Sequence, residues 1–175
     1  MGERTANLLG ALGLAVADRI HATARDILQR SGETPAAVVV IGYGQGPSND
    51  RLRHVLGLSH PGAVRLVDRL VTDGLVRREK AQDRRAVALH LTDKGKSVRE
   101  ALFAERLGAM QSVLAPLSPA ERDRLATLLH RILQGLPDND LDKRRLCRMC
   151  DDRVCTDCPV PADFKLKAGP NSTPG

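Results

Sequence analysis

The sequence predicts a mainly α-helical protein with a small β-ribbon. Three observations in its 175 residues carry that expectation. Apolar residues recur at helical spacing in segments that mostly open on Ser or Thr and close on Gly or Pro, the punctuation of amphipathic helices. One stretch, Leu75 to Leu91, departs from that rhythm, with two short apolar runs around a polar, Arg-rich tip, the pattern of a hairpin. Tyr43, Phe103 and Phe164 are the only aromatic residues. The core must therefore be Leu, Val and Ala, which favours helices.

The first helix is expected over Ala6 to Gln29, with Gly10 and Gly13 weakening its start. Leu8 to Ala17 (LLGALGLAVA) follows Arg4 and ends in Ala15-Val16-Ala17, an imitation of a signal peptide. Glu3 offsets Arg4, however, and the apolar pattern runs on through Ile20, Ala24, Ile27 and Leu28, so one long helix explains more residues. No span approaches the ~20 apolar residues that cross a bilayer. The expected location is cytoplasmic, with no membrane partner. Ser31-Gly32-Glu33 breaks the helix, and Thr34-Pro35 opens a second as cap and first helical residue. Its body, Ala36 to Tyr43, is almost wholly apolar and should be buried on most sides.

Gly44, Gly46 and Pro47 stop that helix, and Ser48 caps a third carrying Leu52, Val55 and Leu56. Gly57 ends it, and Leu58-Ser59 leads at once into a fourth. There Ala63, Leu66, Val67, Leu70 and Val71 line one side, while Arg65 and Arg69 share another. Two short helices joined so tightly form a helix-turn-helix, with the second in the reading position. The ribbon follows. Thr92 then caps a long helix through Leu114, and Ser118-Pro119-Ala120-Glu121 opens a sixth with a capping box. The expected order is four helices, a ribbon and two long helices.

Lys and Arg number 27 against 21 Asp and Glu, a formal charge of +6. The location of the excess decides its meaning. Between Ser48 and Lys96 eleven Lys/Arg face six acids, so most of the net charge sits on the helix-turn-helix and ribbon. That is an electrostatic footprint for phosphates. A helix bearing exposed arginines and a basic hairpin suit duplex DNA, helix in the major groove and hairpin tip against the neighbouring minor groove. The scarcity of aromatics argues against single-strand or RNA recognition by base stacking. A reading core needs neither a long first helix nor two long last ones. Their apolar stripes therefore predict a homodimer whose two copies match half-sites one helical turn apart.

Leu66-Val67-Asp68-Arg69-Leu70, Gly74-Leu75-Val76, Asp83-Arg84-Arg85 and Leu91-Thr92-Asp93-Lys94-Gly95, in this order and spacing, resemble the MarR family of winged helix-turn-helix transcriptional regulators. The resemblance covers about residues 6 to 136. It implies an obligate dimer joined through its terminal helices. It also implies control of nearby genes, most simply as a repressor, relieved by a small-molecule or oxidant effector. Carried across, Ser59, His60, Pro61, Gly62 and Arg65 match the leading part of the recognition helix, with Arg65 assigned to a base edge, since Arg can bond bidentately to guanine. Arg69 matches a position that meets phosphate or braces the wing. Asp83 would hold the wing by pairing with a neighbouring Arg, with Arg84 and Arg85 serving the minor groove, Arg85 entering it. Ser48 and Arg53 would touch phosphates from the preceding helix.

The resemblance stops near Pro137. All four cysteines follow within a dozen residues, as Cys147-Arg-Met-Cys150 and Cys155-Thr-Asp-Cys158. Two CxxC pairs four residues apart can present four thiolates to one tetrahedral ion, and Zn²⁺ is the leading expectation. An iron–sulfur cluster also takes four thiolates, and Cys158-Pro159 has the Cys-Pro ending of cluster-binding runs, although the spacing matches neither ferredoxin pattern. A thiol switch, with Arg144, Arg145, Arg148 and Arg153 lowering thiolate pKa, stays open too. So does a thiol–disulfide or electron-transfer protein that uses the winged helix only to dock. No nucleophile–base pair, phosphate loop or paired carboxylates stand out, and the five histidines (21, 54, 60, 90, 130) have no ligand spacing, so an enzyme is not expected. The expected organisation is a reading and dimerisation domain over 1–137, with its DNA-reading part at about 34–95. A four-cysteine knob over 138–160 and a disordered tail over 161–175 complete it.

Overall fold

The computed structural model describes residues 2–29, 32–44, 46–80, 87–154 and 157–160. In chain order these residues form α1 (Gly2–Leu28), α2 (Thr34–Tyr43), α3 (Asn49–Leu56), α4 (His60–Thr72), β1 (Val76–Lys80), β2 (Val87–Leu91), α5 (Asp93–Leu114), α6 (Pro119–Gln134) and α7 (Asp140–Cys147). The expected order is present, with α7 added at its end.

The caps act where the sequence puts them. The Ser48 hydroxyl accepts from the Arg51 N–H at 3.2 Å, Ser59 from Gly62 at 3.2 Å and Thr92 from Gly95 at 3.1 Å, so α3, α4 and α5 each start on a satisfied donor. At α6 the Glu121 carboxylate accepts from the Ser118 N–H at 2.8 Å, the returning arm of the capping box. Two boundaries differ. Helix α1 begins at Gly2 rather than Ala6, with Glu3 in its first turn where negative charge complements the helix dipole. Thr34 is itself helical and buried, and Glu33, the residue before it, makes no side-chain cap bond.

Helix α2 is the centre of the core. Every residue from Thr34 to Ile41 is buried, which is why the stretch is apolar all round rather than striped. Leu52 of α3, Val67 and Leu70 of α4, Val76 and Leu89 of the ribbon, and Leu102 and Phe103 of α5 belong to the same cluster. Each such fully buried aliphatic side chain contributes roughly 1.5–3 kcal/mol relative to exposure. The strands pair antiparallel, from Val76 opposite Leu91 at the base to Lys80 opposite Val87 towards the tip. The Leu89 N–H reaches outside the pair to the Pro47 carbonyl at 3.1 Å, fastening the ribbon to the α2–α3 connection.

Helix α6 buries none of its residues, and Leu128, Leu129 and Ile132 are exposed along it. The signal-like stretch of α1 lies wholly within that helix, with Leu8, Leu9, Leu12 and Leu14 exposed. Among the described residues no helix is long and apolar enough to cross a membrane.

Candidate nucleic-acid interface and cysteine knob

The turn between α3 and α4 sets how the recognition helix is presented. Gly57 caps α3 in the left-handed region, φ 68°, a conformation that glycine adopts without the penalty a Cβ brings. Its N–H bonds to the carbonyls of Arg53 and His54, and the Leu58 N–H bonds to Arg53 as well. Ser59 follows at once as the cap of α4. Pro61 sits in the first turn of α4, where no helical N–H partner is lost, and the helix forms despite Pro61-Gly62. His60, Pro61, Arg65, Asp68 and Arg69 are exposed, while Ala63, Leu66, Val67 and Leu70 are buried. The helix thus divides cleanly into a core face and a charged outer face.

The charged side chains of that outer face are held differently. The Arg65 guanidinium is exposed, whereas the Arg69 Nε turns back to the Arg65 carbonyl at 3.4 Å. The wing is braced by a third residue. Asp68 accepts from Arg78 of β1 at 2.5 Å, joining recognition helix to ribbon. Further along β1, Glu79 pairs with Arg77 and lies 3.4 Å from His90 of β2. Asp83, Arg84 and Arg85 lie outside the described residues, so the brace expected of Asp83 has its described counterpart in Asp68. An acid set between two exposed arginines of one helix, followed by a basic strand, was the available signal for it. On α3, Ser48 spends its hydroxyl on the helix cap, and Arg53 pairs with Asp50 at 2.7 Å. That bond from Arg53 holds the Asp50 carboxyl below the usual carboxylate range.

The base of the wing is locked by the Leu91–Gly95 motif. Thr92 donates its N–H to the Leu75 carbonyl at 3.0 Å and its hydroxyl to Gly74 at 2.6 Å. Gly95 then lies so close to that Leu75 carbonyl that a Cβ would stand 2.1 Å from its oxygen. Beside this junction a cavity of about 380 Å³ is lined by Arg77, His90, Lys96, Arg99 and Glu100 together with Ile41 and Leu91.

The cysteine segment is docked on α3 and α5. Asn139 caps α7 by accepting from the N–H groups of Leu141 and Asp142, and α7 packs against α3. From α7 the Arg145 guanidinium donates twice to the His54 carbonyl, at 3.3 and 3.4 Å. Leu141 and Met149 pack on the hydrophobic core, and Val160 is buried. Arg153 reaches α5, pairing with Glu100 at 2.8 Å and lying 5.5 Å from the Phe103 ring centroid.

The Cys147 thiol, 3.6 Å from the Val160 carbonyl, also faces Cys150 and Cys158. A hydrogen bond from Cys147 brings the Cys150 thiol down to about 6, with Arg106 of α5 adding to the effect, and Cys147 is correspondingly raised. Cys147, Cys150 and Cys158 are free thiols, and Cys155 lies outside the described residues. Among the described residues no three or more His, Cys, Asp and Glu side chains are gathered as a metal cage.

No family model matches the chain. Individual proteins do. YkoM of Bacillus subtilis (strain 168), an uncharacterised HTH-type transcriptional regulator, is 29% identical over 132 residues, 74% of this chain and 86% of that protein. Apo MarR of Escherichia coli superposes with a TM-score of 0.59 at 24% identity, over 74% of this chain and 97% of that one. The chain has the winged helix-turn-helix fold of MarR. A further MarR-like fold is a point variant of MepR from Staphylococcus aureus, solved bound to an oligodeoxyribonucleotide, with a TM-score of 0.58 at 20% identity over 76% of this chain and 98% of that one. About a quarter of this chain lies outside each of these matches.

Proposed function

We propose that this transcriptional regulator reads duplex DNA as a homodimer and represses by occupying its site. The observation that carries the reading is the outer face of α4, where exposed Arg65 and Arg69 stand on a helix capped by Ser59 and tied to a basic ribbon through Asp68–Arg78. In that reading Arg65 meets a base edge in the major groove, with His60, Pro61 and Gly62 at the entering end. Arg69 and Arg53 neutralise phosphates, and Arg84 and Arg85 serve the minor groove. Ser48 acts by starting α3 correctly. The exposed leucines of α1 and the bare apolar stripe of α6 are covered by a second copy, since paired reading heads need a fixed spacing. The cavity beside the wing base, where Arg77, Lys96 and Arg99 outnumber Glu100, suits a small anionic effector.

Zn²⁺ is the proposed occupant of Cys147, Cys150, Cys155 and Cys158. The donor set supports it. Three thiols lie along one short segment in the two-CxxC pattern that suits a tetrahedral ion, and the Arg106 side chain of α5 stands beside Cys150.

The test is selection of a preferred duplex from a random pool, then fluorescence anisotropy with variants. Arg65→Ala should lose about 10- to 100-fold on the selected duplex and relax preference at one base pair. Arg85→Ala should weaken all duplexes alike and reduce the salt slope by about one. Unaltered affinity and preference in both variants would refute the reading.

A further inference from the structure

We infer that Arg145 is a positioning residue for DNA reading: its guanidinium, supplied from α7, caps the carboxy-terminal end of α3 and so fixes the turn that presents α4. This role rests on the DNA-reading proposal and adds to it a residue from beyond the stretch that resembles MarR regulators. Nothing in it passes through the thiols.

A helix ends on four carbonyls that have no partner within it, and that end carries partial negative charge. In α3 those carbonyls belong to Arg53, His54, Val55 and Leu56. Gly57 serves the first two through its N–H, and the Leu58 N–H bonds to Arg53 at 2.9 Å. The bond that the turn itself gives His54 is long, 3.4 Å. On the same oxygen the Arg145 Nε and Nη2 converge, at 3.4 and 3.3 Å. A planar fork bearing a full positive charge thus meets the negative end of the helix. Only Leu58 stands between Gly57 and Ser59, the cap of α4, so the turn has little chain in which to absorb a change at the end of α3.

The backbone around Arg145 is held in place by packing. Helix α7 lies against α3, and Leu141 and Met149, which flank Arg145 in the chain, rest on the hydrophobic core. The Arg148 guanidinium donates to the Arg145 carbonyl at 2.6 Å and closes α7. Arg145 and Arg148 line one cleft with Val55, Leu56, Gly57 and Glu33, so both cations stand beside the α3–α4 turn. Charge alone would suit a DNA phosphate equally well. The bonds decide for positioning, because Nε and Nη2 of Arg145 are both turned onto the His54 carbonyl. The side chain is exposed, which keeps the effect of its charge modest.

The experiment compares the full chain with its Arg145→Ala and Arg145→Lys variants, under reducing conditions, on a duplex selected by the parent. Anisotropy over a salt series reads affinity and salt slope, and hydrogen exchange reads peptides across the chain. Arg145→Ala should weaken binding about three- to fivefold, the upper part of the range for a cation at an exposed helix end, with the salt slope unchanged. Exchange should quicken in peptides spanning residues 53–62 and hold in α5 and α6. Arg145→Lys keeps the charge and a donor, and should stay within about twofold of the parent. A salt slope lower by about one in Arg145→Ala would overturn the proposal in favour of a phosphate contact. Equal affinity and equal exchange in Arg145→Ala would overturn it too, as would a Lys variant no better than the Ala one. So would exchange quickened evenly over the whole chain, the mark of a general loss of stability. Should the parent bind no duplex, the DNA-reading proposal falls, and the exchange data still decide whether Arg145 holds the turn.

Discussion

Replacing Gly95 with Ala tests whether the wing base is as tightly built as the Leu91–Gly95 motif implies. The added Cβ would stand 2.1 Å from the Leu75 oxygen, where ordinary contact begins near 3.4 Å, so the first turn of α5 must retreat from the ribbon by about 1.3 Å. The obstacle is backbone, which cannot swing aside as a side-chain end can. Overpacking of this kind costs about 1–3 kcal/mol. The retreat also strains the Thr92 N–H bond to the same carbonyl, 3.0 Å long, a further loss of roughly 0.5–1.5 kcal/mol. Against these stands the better helix propensity of Ala, about 1 kcal/mol. The net is a destabilisation of about 2 kcal/mol, which for a chain of 175 residues lowers the thermal midpoint by about 4–8 °C. Reversible melting followed by circular dichroism reads it directly. A Gly95→Ala protein that melts at or above the parent would refute the close approach and with it the account of why this motif ends in glycine.

Three other perturbations follow from the same geometry. Ser59→Ala removes the hydroxyl that accepts from Gly62 and should cost about 1 kcal/mol in urea unfolding, with weaker DNA binding because α4 frays at its leading end. Asp68→Ala breaks an exposed pair with Arg78, so unfolding should shift by less than about 1 kcal/mol. Its ratio of selected to random duplex affinity, read by anisotropy, should nevertheless fall several-fold, on the order of 1 kcal/mol, as the wing loses its tie to the helix. Leu128→Asp with Ile132→Asp alters exposed positions of α6, so helix content by circular dichroism should hold while sedimentation velocity shows a monomer. A persistent dimer would move the interface elsewhere.

Much of the reading head was legible because its signals are local. Ser48, Ser59 and Thr92 announce helices through bonds to residues three positions on, and Gly57 announces the turn through a conformation few other residues adopt. The same kind of signal is present at α7, a helix absent from the expected order. Asn139 precedes Asp140 and Asp142, and Arg144 and Arg145 close the helix, which is the charge order a helix dipole favours. With about two turns and few apolar residues, α7 shows no stripe to set it apart from the cysteine pairs it leads into.

Long-range pairings are a different matter. Charge marks Asp68 as the residue of α4 that a basic strand could bind, but nothing in spacing says which arginine of β1 it meets, and only the course of the strand selects Arg78. The docking of the knob lies further still from sequence. Arg145 and His54 are 91 residues apart, and Arg153 and Glu100 are 53 apart. In sequence those arginines read as neighbours able to lower thiol pKa. In the fold Arg145 and Arg153 are taken by α3 and α5, and Arg106, on a helix that gave no metal signal, acts on Cys150 instead. With the roles exchanged in this way, the arginines around the cysteines matter for mechanics more than for reactivity. The residues flanking the thiols hold the segment to α3 through His54 and to α5 through Glu100.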